Sequence, residues 1–268
     1  MKDLALLTDF YQLSMMQGYF FTKPDQTAVF DVFYRKNPSG GGYAIFCGLN
    51  EVVDYIENLR FSDDDIAYLK SLNFFKPEFL EFLRGFKFSG EIYAMDEGQI
   101  VFPHEPLIRV KANIMEAQLI ETAILNTINF QTLIATKSSR INFSAKGDSV
   151  MEFGLRRAQG QSAGIYGAKA AIIGGCSATS NVLAAKKFGV PAIGTHSHSW
   201  IQSFDSELEA FRTYAKIYPN STLLLVDTYD TLASGVPNAI TVFKELRASG
   251  HEPLGIRIDS GDLEYLTK

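Results

Sequence analysis

Three consecutive segments decide the fold: Thr222–Asp227 (TLLLVD), Pro237–Ser249 (PNAITVFKELRAS) and Pro253–Asp259 (PLGIRID). The first and the last are short, mostly apolar runs, whereas the middle one has the apolar spacing of a helix. Gly250 stands just past that helix, where glycine commonly ends one. Short apolar strands separated by helices are typical of a parallel sheet that is covered on its faces. This part of the chain is therefore predicted to be parallel α/β.

The same rhythm extends back to residue 149. Three earlier runs predict further strands, namely Ser149–Gly154, Ala170–Cys176 and Val190–His196. Helical patterns lie at Asn181–Phe188 and Ser206–Tyr218, whereas the stretch before Ala170 has no clear pattern. The count is thus five strand runs, and a closed (β/α) barrel has eight.

An open doubly wound sheet and a (β/α) barrel both fit this rhythm. Polar residues end or follow each of the five strand runs: Glu152, Arg156 and Arg157; Ser177 and Ser180; His196 and His198; Asp227 and Asp230; Arg257, Asp259 and Asp262. Barrel enzymes build their sites from the C-terminal ends of several strands, whereas an open sheet concentrates them at one switch point. The two common glycine-rich nucleotide motifs are absent from the sequence. The barrel is therefore favoured.

The first 134 residues predict a smaller mixed α/β domain, and residues 135–268 the first part of the barrel. The predicted helices and strands of this smaller domain are a helix at Asp9–Phe20 capped by Thr8, strands at Ala28–Tyr34 and Tyr43–Leu49, a helix at Glu51–Leu59, a helix starting at Ser62, two short strands within Gly90–Val110, and a bridging helix at Ala117–Ile134.

Composition excludes several classes of protein. A formal net charge of -5 disfavours broad attraction to nucleic acid or to anionic membranes. The two cysteines, Cys47 and Cys176, are too few for a disulfide framework and indicate a reducing cytoplasm. No apolar run approaches the roughly 20 residues that span a bilayer. A phosphorylated ligand would need a local cluster of basic residues.

The segment Gly194–Ser199 (GTHSHS) carries two histidines two residues apart. In an extended strand, His196 and His198 would point to the same face, as in a His-x-His metal site. Two alternatives remain open on spacing alone. Both histidines could be structural, or one could act as a nucleophile or general base oriented by Asp227.

Three further groups have a functional and a structural interpretation. Asp259 and Asp262 could hold a metal ion or a sugar diol, or they could turn the chain and cap the helix that starts at Leu263. Arg156 and its neighbour Arg157 could clamp a phosphate or a carboxylate. Ser180 could bind an anion at a helix start or only cap that helix.

Seven segments, in order along nearly the whole chain, resemble nicotinate phosphoribosyltransferases. They are Thr8–Gln12 (TDFYQ), Phe33–Pro38 (FYRKNP), Glu152–Ala158 (EFGLRRA), Gly174–Asn181 (GGCSATSN), Gly194–Ser199, Val226–Asp230 (VDTYD) and Arg257–Asp262 (RIDSGD). The resemblance implies an irregular (β/α) barrel of the type II phosphoribosyltransferase kind, incomplete in this sequence, beside a smaller mixed α/β N-terminal domain. Family members usually have alanine at the position of Ser197.

The resemblance also implies a reaction in NAD biosynthesis. Nicotinate and phosphoribosyl pyrophosphate would give nicotinate mononucleotide and pyrophosphate, with ATP as co-substrate and Mg²⁺ as cofactor. ATP hydrolysis would be coupled through a phosphohistidine at His198, and Asp227 would steady that histidine. Asp259 would hold the ribose and its Mg²⁺.

The remaining implied roles concern substrate binding. Phe153 and Tyr11 would cover the two faces of the pyridine ring, Tyr11 coming from a second subunit. Arg156 and Arg257 would meet the anionic groups of nicotinate and of the sugar phosphates. Arg35 of a second copy would contact pyrophosphate, so the resemblance implies a homodimer with shared active sites. Ser180 would favour the acid, because nicotinamide-specific relatives commonly have an acidic residue there.

Other functions stay open at this point. The base could be nicotinamide or quinolinate, the chain could be a non-catalytic, dimer-forming fragment, and a metal-dependent barrel hydrolase is the third alternative. Five strand runs and a helix of about two turns at residues 262–268 predict that these 268 residues alone are inactive.

Overall fold

The computed structural model describes residues 4–268. These residues fall into two compact units, the first ending at Ala192 and the second spanning Ile193–Lys268. The predicted domain boundary between residues 134 and 135 rests on a change in the sequence pattern, and it stays a prediction. No helix among the described residues is long and apolar enough to cross a membrane.

The first unit contains eight helices and seven strands within its described residues. The helices are α1 Phe10–Thr22, α2 Leu49–Glu57, α3 Asp63–Ser71, α4 Pro77–Arg84, α5 Ile114–Leu119, α6 Glu121–Ser144, α7 Gln161–Ile173 and α8 Val182–Phe188. The strands are β1 Thr27–Val32, β2 Ala44–Ile45, β3 Glu91–Ala94, β4 Ile100–Val101, β5 Ile108–Asn113, β6 Met151–Glu152 and β7 Ala178–Thr179.

A three-stranded antiparallel sheet of order β1-β5-β3 supports the N-terminal part of this unit. Along β5, Ile108, Val110 and Ala112 are buried, whereas Arg109 and Lys111 between them are exposed. One face of the sheet therefore packs on the core and the other meets solvent, as the period-two pattern of a strand requires. The predicted start of α3 at Ser62 is confirmed, because Ser62 and Asp65 form a capping box.

The second unit contains four α-helices, one π-helical turn and two strands. They are α9 His198–Gln202, α10 Glu207–Ile217, β8 Leu223–Leu225, the π-turn Thr231–Gly235, α11 Val236–Ala248, β9 Gly255–Arg257 and α12 Leu263–Leu266. Strands β8 and β9 pair in parallel, with Leu224 opposite Ile256. The core of this unit includes Phe211, Leu224 and Val226, each fully buried.

The deciding stretch is confirmed as strand, helix and strand in β8, α11 and β9. Helices α1, α8 and α10 and strand β1 also lie where the sequence predicts them, within two or three residues. The bridging helix is longer than predicted and has two parts, α5 and α6, which meet at Ile120. The mixed α/β class is confirmed.

Two strand predictions are wrong. The first of them, Ala170–Cys176, begins in the last turn of α7, Ala170–Ile173. Ala168, Ala170 and Ala171 of this helix are buried. A short apolar run does not distinguish a buried strand from a buried helix by periodicity, which explains the error. Val190–His196 forms no named strand. Only Ala192 makes a single parallel bridge, to Thr179, and Pro191 lacks the N–H that a central strand would donate.

The parallel pairing within the described residues is limited to two pairs, β6 with β7 and β8 with β9. These residues contain no closed barrel. Met151 lies opposite Ala178, and Glu152 opposite Thr179. Because the strands of each pair are parallel, their carboxyl ends lie at one edge, and the candidate site residues follow those ends.

Candidate active site

In the second unit, strands β8 and β9 bring two carboxylates to one edge. Asp227 follows β8 and Asp259 follows β9, and the N–H of Val226 donates to the carbonyl of Arg257 at 3.1 Å. The ladder thus continues to the residues just before the carboxylates. The polar residues that follow these two strands therefore lie at one edge of the pair.

His198 lies between the two carboxylates. It is the first residue of α9, and 38% of its side chain is exposed. Its Nδ1 is 3.2 Å from the hydroxyl of Thr228 and 4.0 Å from Oδ1 of Asp227, and its Nε2 is 3.7 Å from Oδ2 of Asp259. Two carboxylates therefore flank this ring.

Asp227 is buried, and one of its two oxygens is held by local donors. Oδ2 accepts the N–H of Asp259 at 2.8 Å and the hydroxyl of Ser260 at 2.6 Å. Burial acts to raise the pKa of Asp227, but these two hydrogen bonds and the nearby His198 outweigh it, so that the pKa lies below its ordinary value. Oδ1 is buried without a hydrogen-bond partner among the described residues. An anionic oxygen is therefore directed to His198.

Arg257 contributes a cation to the same edge. Its Nη1 donates to the hydroxyl of Thr195 at 3.1 Å, and its Nη2 lies 3.9 Å from Oδ2 of Asp259. The side chain is only 25% exposed. This guanidinium, fixed beside a carboxylate and a histidine, is suited to binding an anionic substrate group.

His196 has a different environment from His198. It is buried, and its Nε2 accepts the N–H of Leu225 at 3.2 Å. Burial lowers the pKa of His196, against the raising effect of a backbone hydrogen bond at Ser197, and thus favours the neutral ring. The expectation that both histidines share one strand face is wrong, since His198 begins a helix. Among residues 4–268 no group of three or more histidine, cysteine or acidic side chains could hold a metal ion.

The first unit brings Phe153 and Ser180 to the ends of a second parallel pair. Phe153 follows β6, Ser180 follows β7, and the N–H of Ser180 donates to the carbonyl of Glu152 at 2.9 Å. The alternative in which Ser180 caps the next helix is wrong, because Asn181 is the cap, accepting the N–H of Ala184 at 3.1 Å. The other predicted cap, Asp262 of α12, is confirmed.

The remaining predicted residues line or adjoin open cavities. A cavity of about 710 Å³ includes both Tyr11 and Arg35 in its lining. A second cavity, of about 610 Å³, is lined by Phe153 and Arg157 among others. Arg156 is exposed in the short turn Leu155–Arg157 beside that cavity.

Three residues near these sites were not predicted from the sequence, and a fourth, Glu152, was noted only as a polar residue at a strand end. Thr195 binds Arg257, Thr228 approaches His198, Ser260 binds Asp227, and Glu152 lies beside Phe153. Each is a sequence neighbour of a predicted site residue. Their hydrogen bonds depend on tertiary geometry, which adjacency alone does not reveal.

The fold of this chain is that of the type II phosphoribosyltransferases. A solved structure of nicotinate-nucleotide pyrophosphorylase from Pyrococcus furiosus aligns with a TM-score of 0.78 over 98% of this chain and 60% of that one, at 23% identity, which shows the fold alone. The crystal structure of human nicotinic acid phosphoribosyltransferase aligns with a TM-score of 0.88 at 31% identity, over 96% of this chain and 61% of the human chain.

Two family models match the sequence. Residues 6–129 match the nicotinate phosphoribosyltransferase N-terminal domain, and residues 149–268 match the nicotinate phosphoribosyltransferase family. The chain belongs to the nicotinate phosphoribosyltransferase family.

Curated relatives carry the same name. Nicotinate phosphoribosyltransferase of Bacillus subtilis (strain 168) is 48% identical over 267 residues, which is 99% of this chain and 54% of the relative. Nicotinate phosphoribosyltransferase pncB2 of Mycobacterium tuberculosis is 44% identical over 98% of this chain and 56% of the relative. The chain thus spans about half the length of the curated relatives it matches.

Proposed function

We propose that the natural gene product converts nicotinate and phosphoribosyl pyrophosphate to nicotinate mononucleotide and pyrophosphate, with ATP as a coupled co-substrate, in cytoplasmic NAD biosynthesis. The observation that carries this proposal is the arrangement of His198 between Asp227 and Asp259, with Arg257 at the same edge. The proposed substrate is inferred from the names of the relatives, and the proposed mechanism is inferred from this geometry.

His198 is the proposed phosphoryl acceptor. Its Nδ1 faces Thr228 and Asp227, so a proton held on Nδ1 leaves the Nε2 lone pair free for attack. Attack on the γ-phosphorus of ATP forms the N–P bond, breaks the bond to the bridging oxygen and releases ADP. Water later cleaves the N–P bond and releases phosphate. The anionic Asp227 stabilises the charge that the ring carries in between.

The ribosyl transfer requires charge stabilisation of both signs. The pyridine nitrogen forms a bond to C1 of the ribose while pyrophosphate leaves, so that positive charge develops on the sugar and negative charge on the leaving group. Preorganised groups such as the Asp259 carboxylate and the Arg257 guanidinium are suited to these two charges.

Mg²⁺ is the proposed cofactor. The Asp259 carboxylate is 43% exposed, and its oxygens are the hard donors that Mg²⁺ prefers. Mg²⁺ commonly binds one or two carboxylates together with substrate phosphates, which suits a site with few protein ligands. When bound, it would neutralise part of the negative charge of the pyrophosphate.

The pyridine ring is proposed to stack on Phe153, with Tyr11 of a second copy on its other face, in a homodimer with shared sites. A flat heterocycle offers few hydrogen bonds, so stacking supplies most of its orientation. Arg156 is proposed to meet the nicotinate carboxylate, and Arg35 of the second copy the pyrophosphate. Exposure of Phe153, Tyr11, Arg156 and Arg35 supports ligand access.

The test is a direct assay of the natural gene product. Purified protein is incubated with phosphoribosyl pyrophosphate, Mg²⁺ and ATP, and with nicotinate, nicotinamide or quinolinate in parallel reactions. Chromatography should show nicotinate mononucleotide, and ADP formation should rise with it. Product from nicotinamide or quinolinate but none from nicotinate would refute the proposal.

A further inference from the structure

Glu152 is connected to both Phe153, proposed to stack on the pyridine ring, and Ser180, which the family resemblance implies to favour the acid. Glu152 is the last residue of β6 and directly precedes Phe153. Across the strand pair it faces Thr179, which directly precedes Ser180. Its carbonyl also accepts the N–H of Ser180 at 2.9 Å. One residue therefore connects the two sides of the proposed ring site.

Both oxygens of this carboxylate are held by local donors. Oε1 accepts the N–H of Gly154, and Oε2 accepts the hydroxyl of Thr179 at 2.6 Å. The Thr179 oxygen in turn accepts the N–H of Asn181 at 3.0 Å. Phe153 thus lies between Glu152 and Gly154, which this carboxylate connects, and Ser180 lies between Thr179 and Asn181 of the same hydrogen-bond chain.

Gly154 gives an independent sign that the carboxylate is built into this turn. Its backbone angles, φ -87° and ψ -5°, are accessible to any residue. A Cβ at this position would nevertheless lie 2.9 Å from Oε1 of Glu152. A side chain at this position would therefore displace the Glu152 carboxylate from the N–H of Gly154, whereas the backbone conformation itself does not demand glycine.

We propose that Glu152 is a positioning residue that sets the spacing between Phe153 and Ser180, and thereby the affinity for an aromatic ring bearing a carboxylate. The inference rests on the proposed function. Each oxygen of the carboxylate already accepts a local donor, so the proposed action of Glu152 is through Phe153 and Ser180.

The experiment compares steady-state kinetics of variants of the natural gene product. In Glu152→Gln and Thr179→Val, the KM for nicotinate should rise about tenfold, while kcat and the KM for phosphoribosyl pyrophosphate stay within about threefold. Gly154→Ala should raise the nicotinate KM in the same way by displacing the carboxylate. Thr179→Ser keeps the hydroxyl and should restore a nicotinate KM near that of the wild type.

The matched control is Ser177→Ala, which removes hydrogen bonds to Ser149 and to the carbonyl of Val150 next to the same strand pair. It should leave the nicotinate KM unchanged. If Glu152→Gln does not fold, the Thr179→Val and Thr179→Ser pair decides the matter. If the wild type turns over nicotinate and Thr179→Val has an unchanged nicotinate KM, this inference is overturned while the proposed function stands. Absence of nicotinate turnover by the wild type would overturn the proposed function, and this inference with it.

Discussion

The Gly194–Ser199 segment contains one histidine that is proposed to react, His198, and one that is buried, His196. His198 is partly exposed between two carboxylates, whereas His196 is buried and accepts the N–H of Leu225. The two rings stand two residues apart, yet a helix begins at the second one. The environment of each ring, and not its residue type, decides its role.

Replacement of the two histidines should separate labelling from stability. His198→Ala should abolish acid-labile phosphorylation by γ-labelled ATP and ATP stimulation, leaving a slow ATP-independent reaction. His196→Ala should keep the label but lower the free energy of unfolding by about 1–3 kcal/mol, because the N–H of Leu225 loses its buried acceptor. Label that persists in His198→Ala would contradict the assignment.

Ser180 is expected to select an acid over an amide. Ser180→Asp would place a carboxylate near the nicotinate carboxylate, and such like-charge contacts cost on the order of several kcal/mol at a partly desolvated site. Nicotinate kcat/KM should therefore fall far more than nicotinamide kcat/KM. Ser180→Ala is the control, since it adds no charge. An unchanged ratio in Ser180→Asp would leave Ser180 without a role in selectivity.

Asp227 should make folding stability depend on acid pH. Because the pKa of Asp227 in the folded protein lies below its ordinary value of 3.8, the carboxylate contributes stability above pH 3.8 that is lost as pH falls through the folded-state pKa. The difference in unfolding free energy between wild type and Asp227→Asn should thus be full near pH 6 and shrink below about pH 4. Urea titrations across this range measure it. If this difference in unfolding free energy did not change with pH, the negative charge of Asp227 would not be what stabilises the folded protein.

At the scale of secondary structure, Glu207 connects α10 to the π-turn and to α11. It is buried, and its Oε2 accepts the hydroxyl of Ser234 at 2.6 Å and the amide of Asn238 at 3.0 Å. The π-turn lets Gly235 approach the strand end, where a Cβ would lie 1.8 Å from the carbonyl oxygen of Val226. Val226 directly precedes Asp227, so this packing supports the site.

Glu207→Ala should lower the free energy of unfolding by about 1–3 kcal/mol, because two donors lose a buried acceptor. Glu209→Ala is the matched control. It lies in the same first turn of α10 but is exposed, so it loses only the interaction with the helix dipole, about 0.3–1 kcal/mol. Urea unfolding followed by the single tryptophan, Trp200, reports on this unit, because its indole donates to Ala210 of α10. Equal effects of the two changes would refute the role of Glu207.

At the scale of the whole molecule, parallel pairing is local. Within the described residues each parallel sheet has only two strands, β6 with β7 and β8 with β9. Eight strands close a (β/α) barrel, and open edges leave N–H and C=O groups available to other chains. A complete barrel would need strands beyond these pairs.

The 268 residues by themselves are therefore expected to form no detectable nicotinate mononucleotide and to associate in solution. The mononucleotide assay described above measures activity, and light scattering measures association. Turnover by a monodisperse 268-residue protein would contradict this expectation.

The sequence by itself determined the mixed α/β class, the strand–helix–strand unit of β8, α11 and β9, and the polar residues that follow its strands. These features depend on local periodicity and capping, which neighbouring residues set. Only the tertiary structure decided that Ala170–Ile173 is helical, that Asn181 and not Ser180 caps α8, and that His196 is buried. It also decided the partners of Glu152 and Asp227. The Asn181 cap and the contact of Glu152 with Gly154 are local, but the other outcomes depend on packing and hydrogen bonds between segments far apart in the chain, which no local pattern encodes.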